Sequence, residues 1–360
     1  MITQGIFIVI AIFLVLGGID YLLDNKFGLG SEFEAGVKSI GSLALNMIGI
    51  FVLVPLLSDG ILEVTKPLAE LLHMDASILP TSLLAVDMGG FQLGTSLAGS
   101  DEMGLFSGII LASNLGATLS FSIPVALGMI HKEDMTEFLQ GLVIGIICIP
   151  FGSLVGGLVQ GIPFSILMAN MLPIMVLVIL LGVFILWKPN GTIKCFSVIS
   201  KGIVVLSILG LILIGATSVL GIETPLLGLQ EAALIVVKIG LFLAGAYPML
   251  KVLSKVLKKP LTKVGNILQV NEATVTGLIG NLASNLLLFS QFHNMNAKGK
   301  VMAAAFGISG AFVFGGQLAF VNTMADTMVM PFIISKLAGG VLSIGLAYGL
   351  CTYQERNKVN

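Results

Sequence analysis

A carboxylate, two adjacent glycines and an amide interrupt the apolar stretch LLAVDMGGFQLGTSLAG (83–99), as Asp87, Gly89, Gly90 and Gln92. A second stretch, TGLIGNLASNLLLF (276–289), carries Asn281, Ser284 and Asn285 among equally apolar neighbours. An ionisable group in such surroundings is costly unless matched, and it marks a functional site by default. The chemistry on offer is that of a counter-ion for a cation, with amides and a hydroxyl placed to hydrogen-bond an uncharged part of the same ligand. A structural role for Asp87, as a helix cap or ion-pair partner, is the competing reading. Lys238 in ALIVVKIGLF and Lys336 in FIISKLAGG lie within apolar runs and require partners of that kind. For both lysines a structural charge pair outweighs ligand contact. Asn114 in SNLGATLSFSIPVALG (113–128) and Gln317 in GAFVFGGQLAFVN (310–322) follow the two polar-studded stretches. Their side chains suit ligand binding and helix–helix hydrogen bonding equally well.

The elements that must position these groups are membrane spans. The chain has 360 residues, 56% hydrophobic and 10% charged, with a mean hydropathy of +1.05. A soluble domain carries about 25% charged residues. Apolar runs that approach or exceed the ~20 residues needed to cross a bilayer recur at roughly 5–23, 37–58, 104–130, 137–160, 163–187, 198–219, 227–248, 300–323 and 328–350. The first run has no basic residue before it and no small-x-small site followed by a hydrophilic domain, so it is expected to be a retained span. Amphipathic, proline-containing pieces, GILEVTKPLAELLH (60–73) and KVLSKVLKKPLTKVG (251–265), precede the two polar-studded stretches.

Several function classes drop out. A formal net charge of −1 excludes a nucleic-acid partner. Cys148, Cys195 and Cys351 are scattered and define neither a disulfide framework nor a metal cluster. His73, His131 and His293 fall near segment ends and read as loop histidines. No metal and no cofactor is expected. An intramembrane enzyme would need a nucleophile–base pair or metal triad at depth; no histidine lies mid-span, and no second aspartate motif faces Asp87.

Lysine distribution discriminates between topologies, because cytoplasmic loops collect Lys and Arg. If 76–99 and 272–292 are re-entrant hairpins, fifteen of the 18 basic residues share one face and Lys66 stands alone opposite, Lys238 and Lys336 being mid-span. If both stretches span, the division becomes ten against six. The expected fold is therefore all-α and polytopic, with nine full transmembrane spans plus two hairpins, the N-terminus outside and the C-terminus inside. The outer face so assigned is acidic, with Asp59, Glu63, Glu70, Asp75, Asp101, Glu102, Glu223, Glu231 and Asp326 against Lys66. Such an excess concentrates cations at the mouth.

Weak internal repetition agrees. KPL at 66–68 recurs at 259–261, and Pro55 and Pro248 share that offset of 193. Gly116-Ala117 and Gly310-Ala311, like Asp87 and Asn281, are 194 apart. Residues 1–160 form a first repeat, 161–197 a linking span and cytoplasmic loop, 198–350 a second repeat and 351–360 a cytoplasmic tail. The second unit starts five spans after the first, so the repeats are inverted, as in secondary transporters with broken elements at the midplane. Asp87 to Gly90 would form one hairpin tip, with Gly89 and Gly90 permitting the reversal, and Asn281, Ser284 and Asn285 the other.

The combination of NMIGIFVLVP (46–55), AVDMGG (85–90), SNLGATLSFSIPVALG (113–128) and GKVMAAAFGISGAFVFGG (299–316) resembles the EutH family, the ethanolamine permeases of bacterial ethanolamine-utilization operons. The resemblance covers about 36 to 350. It implies uptake of ethanolamine across the bacterial cytoplasmic membrane as a carbon and nitrogen source. The layout is also similar to hairpin-containing elevator carriers, by which analogy the chain would work by alternating access and pair as a homodimer in the lipid bilayer. Ethanolamine, a primary amine, is almost wholly protonated at neutral pH. A site for it needs a carboxylate for the ammonium and hydrogen-bond partners for the hydroxyl, which Asp87, Gln92, Asn281, Ser284 and Asn285 would supply. The alternatives are a carrier of another small amine or nucleoside-like solute, and a channel with the hairpins as its filter. Lys238 or Lys336 beside Asp87 would stand in for a coupling cation.

Overall fold

The computed structural model describes residues 2–222 and 229–359, and these residues form helices and connecting turns without a strand. Glu223 lies outside them. Among the described residues, eight helical stretches are long and apolar enough to cross a membrane. In chain order, α1 is Ile2–Leu22, α2 Gly30–Leu71, and two short helices follow, α3 Ile78–Thr81 and α4 Phe91–Leu97. Next come α5 (Asp101–Met129), α6 (Met135–Gln160), α7 (Phe164–Trp187) and α8 (Pro189–Val219). The long α9 (Leu229–Leu268) precedes a second pair of short helices, α10 (Glu272–Asn281) and α11 (Asn285–Ser290). Two half-length helices, α12 (Ala297–Ser309) and α13 (Gly316–Met324), and finally α14 (Val329–Val359), complete the chain.

The amphipathic pieces read as separate elements are not separate. Residues 60–71 continue α2 without a break, and 251–265 are the second half of α9, which runs through Pro248 and Pro260. A proline removes one helical hydrogen bond and kinks a helix, but apolar faces on both sides of it hold each helix together; Ala69 is buried and so is Leu250. The run 300–323 departs in the opposite direction. It is not one helix but α12 and α13, interrupted over 310–315. The glycines of GISGAFVFGG explain the interruption, since Gly310, Gly315 and Gly316 weaken any helix through them. Phe312 sits there at φ 64, in the left-handed region.

Each polar-studded stretch leaves and returns to one place. Asp75 accepts from the backbone of Ser77 at 2.9 Å and, through its other oxygen, from Gly99 N at 2.9 Å, fastening the start of 75–99 to its end. Asn271 donates to Asn294 O at 2.8 Å, and Asn296 donates to Gln269 O at 2.9 Å, fastening the second stretch in the same way. Asp75, one of the acidic residues assigned to the outer face, fastens this stretch to itself. Its replacement by alanine is expected to speed hydrogen exchange at the Ser77 and Gly99 amides about tenfold or less, the signature of losing bonds worth ~1 kcal/mol; unchanged exchange there would show that the clasp carries no load.

Glycines let the helices meet at backbone distance, the usual device where lipid offers no hydrophobic drive for association. A Cβ on Gly49 of α2 would strike the Ser207 carbonyl of α8, and one on Gly36 would strike the Ala244 backbone of α9. Gly152 of α6 lies against Gly339 of α14. Thus α2 packs along α9 and α6 along α14. Two of the cysteines, Cys148 and Cys351, are buried, and Cys195 near the start of α8 is exposed.

Candidate functional site

Between α3 and α4 the chain turns through AVDMGG. Gly90 N and Met88 N both donate to Ala85 O at 2.9 Å, and Gly89 takes φ 95, where a side chain would be strained. A Cβ at Gly89 would also come within 2.7 Å of Val54 on α2. Ala85 N is in turn held by Ser120 Oγ of α5 at 3.1 Å. This turn presents Asp87, half-buried, to a cavity of about 180 Å³.

The second break supplies the facing wall. After α10 the chain runs through Leu282 to Ser284 before α11 begins, with Ser284 Oγ accepting from Leu286 N at 3.2 Å as its cap. The interruption between α12 and α13 lies alongside: Phe312 N donates to Asn281 O at 3.1 Å, and Phe314 N to Leu282 O at 2.8 Å. Ser284, Phe312 and Gln317 thereby line the same cavity as Asp87, joined by Phe121 of α5, Asn46 of α2 and Tyr247 of α9. Phe121 and Phe312 meet edge to face at 5.8 Å. Gln317 is buried, and its Oε1 has no hydrogen-bond partner among the described residues. The arrangement offers one carboxylate, amide and hydroxyl groups, and aromatic faces that attract cations. A volume well below the ~300–1,000 Å³ of sites for drug-sized ligands fits a small solute.

The other residues singled out by sequence lie elsewhere. Asn281 and Asn285 are fully buried beside this cavity, not on its wall. Gln92 is half-buried, its Oε1 without a partner among the described residues, and is not on the wall either. Asn114 joins helices, donating to Ser335 Oγ of α14 at 2.7 Å and Ser153 Oγ of α6 at 3.2 Å. Lys336, 3% exposed, donates to Ser113 O at 2.6 Å and stands over the rings of Phe332 and Phe312. It makes no ion pair among the described residues. Lys238 departs from the charge pair expected of it: it is exposed on α9 and has no ionic partner among the described residues.

One polar cluster left no trace in the sequence. Asp134, buried between α5 and α6, accepts from Lys300 Nζ at one oxygen and bonds His293 Nδ1 at 2.9 Å through the other. His131 stacks on His293 with centroids 4.6 Å apart. The partners are 159 and 166 residues away, so no local spacing points to them. His131, Asp134 and His293 bring ligand-type atoms within 4.8 Å of one another. The imidazoles are stacked, at 27°, and both Asp134 oxygens are already engaged, by Lys300 and by His293 Nδ1, so the cluster reads as a structural joint. Asp134→Ala would leave Lys300 without its partner. We expect a loss toward the lower end of ~3–5 kcal/mol, because His293 reaches water, read as a lowered melting temperature of the purified protein; an unchanged melting temperature would contradict the joint.

The chain matches the family model described as "Ethanolamine utilisation protein, EutH" over residues 2–350. It is 40% identical to the "Probable ethanolamine permease EutH" of Listeria monocytogenes, the alignment covering 99% of this chain and 96% of that protein. It is 34% identical to the protein of the same name from Escherichia coli, over 98% of this chain and 97% of the relative. It is also 36% identical to "Uncharacterized protein YxeR" of Bacillus subtilis, over 96% and 94%. No solved structure matches.

Proposed function

We propose a function from one premise: the chain belongs to the EutH family of ethanolamine utilisation proteins. It is a transporter and not an enzyme, a multi-pass protein of the bacterial cytoplasmic membrane. Its substrate in this reading is protonated ethanolamine, taken up by alternating access. The observation that carries the reading is the half-buried carboxylate of Asp87 in a cavity of about 180 Å³ with Gln317, Ser284, Phe121 and Phe312. Asp87 neutralises the ammonium, the rings flank it, and the amide and hydroxyl groups meet the substrate hydroxyl.

The same reading takes 76–99 and 272–292 as re-entrant hairpins of two inverted repeats, with the N-terminus outside and the C-terminus inside. The bonds that fasten each stretch to itself support it. So does the order of elements: a span, a long helix, a pair of short helices, an irregular helix and a span occur on both sides of α7. Hairpins and the helices after them would move against the remaining spans. An inward-negative potential favours cation influx by ~2.3 kcal/mol per charge per 100 mV, so even a uniporter concentrates ethanolammonium.

The test is uptake of radiolabelled ethanolamine into proteoliposomes at mildly acidic pH with an imposed inward-negative potential. Saturable uptake, with counterflow when unlabelled ethanolamine is preloaded, is the expected result. Uptake without saturation or counterflow would indicate a channel, and none above empty liposomes would remove ethanolamine as the substrate.

A further inference from the structure

Beside the Asp87 cavity, two interrupted helices end at the same point. α10 stops at Asn281 and α12 at Ser309, and the side-chain oxygen of Asn281 lies 3.7 Å from where a Cβ on Gly307 would stand. The last carbonyls of a helix lack intrahelical donors and carry the negative end of its dipole. The carbonyls of Gly280, Asn281, Phe306, Gly307 and Ile308 already accept hydrogen bonds, so it is the dipoles of the two ends, not free carbonyls, that favour positive charge at this spot. Asn281 is 0% exposed, and neither its Oδ1 nor its Nδ2 has a partner among the described residues. Asn285, one turn later and also 0% exposed, spends its Nδ2 on Ser122 Oγ at 2.7 Å and Gly307 O at 3.4 Å. That leaves its Oδ1 unmet as well.

A buried polar group without a partner is costly, and a native structure that keeps several in one place has a reason for it. Here the unmet groups are unbalanced: two amide oxygens against one NH2. One water has two donors and can serve both oxygens; what favours a cation over it is the negative end of two helix dipoles. A cation is drawn to both oxygens and to the helix ends, while a water in its shell accepts from Asn281 Nδ2. Asn281, Asn285, Ser122 and Gly307 bring no carboxylate, which argues against a divalent ion, since calcium and magnesium sites are built around carboxylates. Oxygen-only neutral ligands at broken helices suit a monovalent metal cation.

We propose that the Asn281 and Asn285 side-chain oxygens, at the meeting of α10, α11 and α12, form a binding site for a monovalent metal cation of the sodium class. On the transport reading above, this cation is co-transported with the amine. The site adjoins the amine cavity through Phe312, whose N–H is held by Asn281 O and whose ring lines the cavity. Cation binding would then fix the wall that Asp87 faces. No lysine needs to replace the ion at Asp87, since Lys238 is exposed and Lys336 is bound to Ser113 O.

The experiment is a titration of the purified full-length protein in detergent with NaCl, KCl or choline chloride at constant ionic strength, read as melting temperature. A saturable rise with Na+, absent with choline, is expected. In Asn281→Ala and Asn285→Ala the half-saturating Na+ should move up by about ten- to a hundred-fold, as for loss of a hydrogen-bond-strength contact to a charge; melting in choline should stay near that of the wild type in Asn281→Ala and fall in Asn285→Ala, which also loses the bonds to Ser122 and Gly307. A parallel measurement follows ²²Na+ into proteoliposomes driven by an outside-high ethanolamine gradient. No Na+-specific stabilisation of the wild-type protein would overturn the site, whatever the variants do, and would leave a bound water as the partner of these amides. Stabilisation by Na+ without any ethanolamine uptake would keep the site and remove the substrate instead. Na+ stabilisation and ethanolamine uptake without ²²Na+ movement would overturn the co-transport.

Discussion

Asp87→Asn should abolish saturable ethanolamine uptake while leaving the protein folded. The substitution keeps the shape of the side chain and removes only its charge, so the turn of Val86 to Gly90, set by Gly89 at φ 95 and the bonds to Ala85 O, persists. What disappears is the counter-ion of an ammonium group in a small, ring-lined cavity. Removing one partner of a buried pair typically costs ~3–5 kcal/mol; Asp87 is half-buried, so the lower end applies, roughly a hundred-fold in affinity. Gln317→Ala removes a neutral group from the same wall and should raise the half-saturation concentration much less, by about tenfold. Uptake by equal amounts of reconstituted protein, together with melting temperatures, separates the outcomes. Wild-type uptake in Asp87→Asn would return this aspartate to a structural role, such as balancing the charge of Lys336.

Two neighbouring glycines should behave in opposite ways. Gly315→Ala places a methyl group against the Ala283 carbonyl, inside contact distance, where the yielding partner is backbone. The wall of the cavity is built there, by Phe314 N on Leu282 O at 2.8 Å, so the two breaks must separate to make room. Overpacking of this kind costs about 1–3 kcal/mol, and the displaced Ser284 and Phe312 should take most of the transport activity with them. Gly316→Ala, one residue on, meets nothing within 4 Å and begins α13, where alanine is the better helix former by about 1 kcal/mol. Its melting temperature should equal or exceed that of the wild type. Equal loss in both variants would mean that the 310–315 interruption needs glycine for flexibility rather than for the approach to Ala283.

The spans were legible because bilayer thickness imposes a length that composition displays directly. The polar-studded stretches were legible too, since Asp87 or Asn281 in an apolar run has few explanations. Their placement was not. Whether a side chain faces the cavity or the space beside it depends on where a short helix stops, and Asn281 and Ser284 differ by three residues yet point to different surroundings. Asn114 shows the same limit: its hydroxyl partners, Ser153 and Ser335, lie on helices brought together by glycines such as Gly152 and Gly156. Lys238 is expected to need a charge partner because the span around it is apolar, whereas on α9 it faces outward and is exposed. The continuity of α2 through Pro67 escaped detection for a related reason, as local propensity favours a stop that tertiary packing overrides.

The uneven burial of the three cysteines turns the chain into its own topological reporter. Cys148 and Cys351 are shielded, and Cys195 lies open next to Lys194, which the proposed topology puts on the cytoplasmic side. A membrane-impermeant maleimide therefore has a single native target whose labelling reads sidedness without an engineered tag. Intact cells should stay dark and inverted vesicles should label, and a Cys195→Ser protein provides the blank.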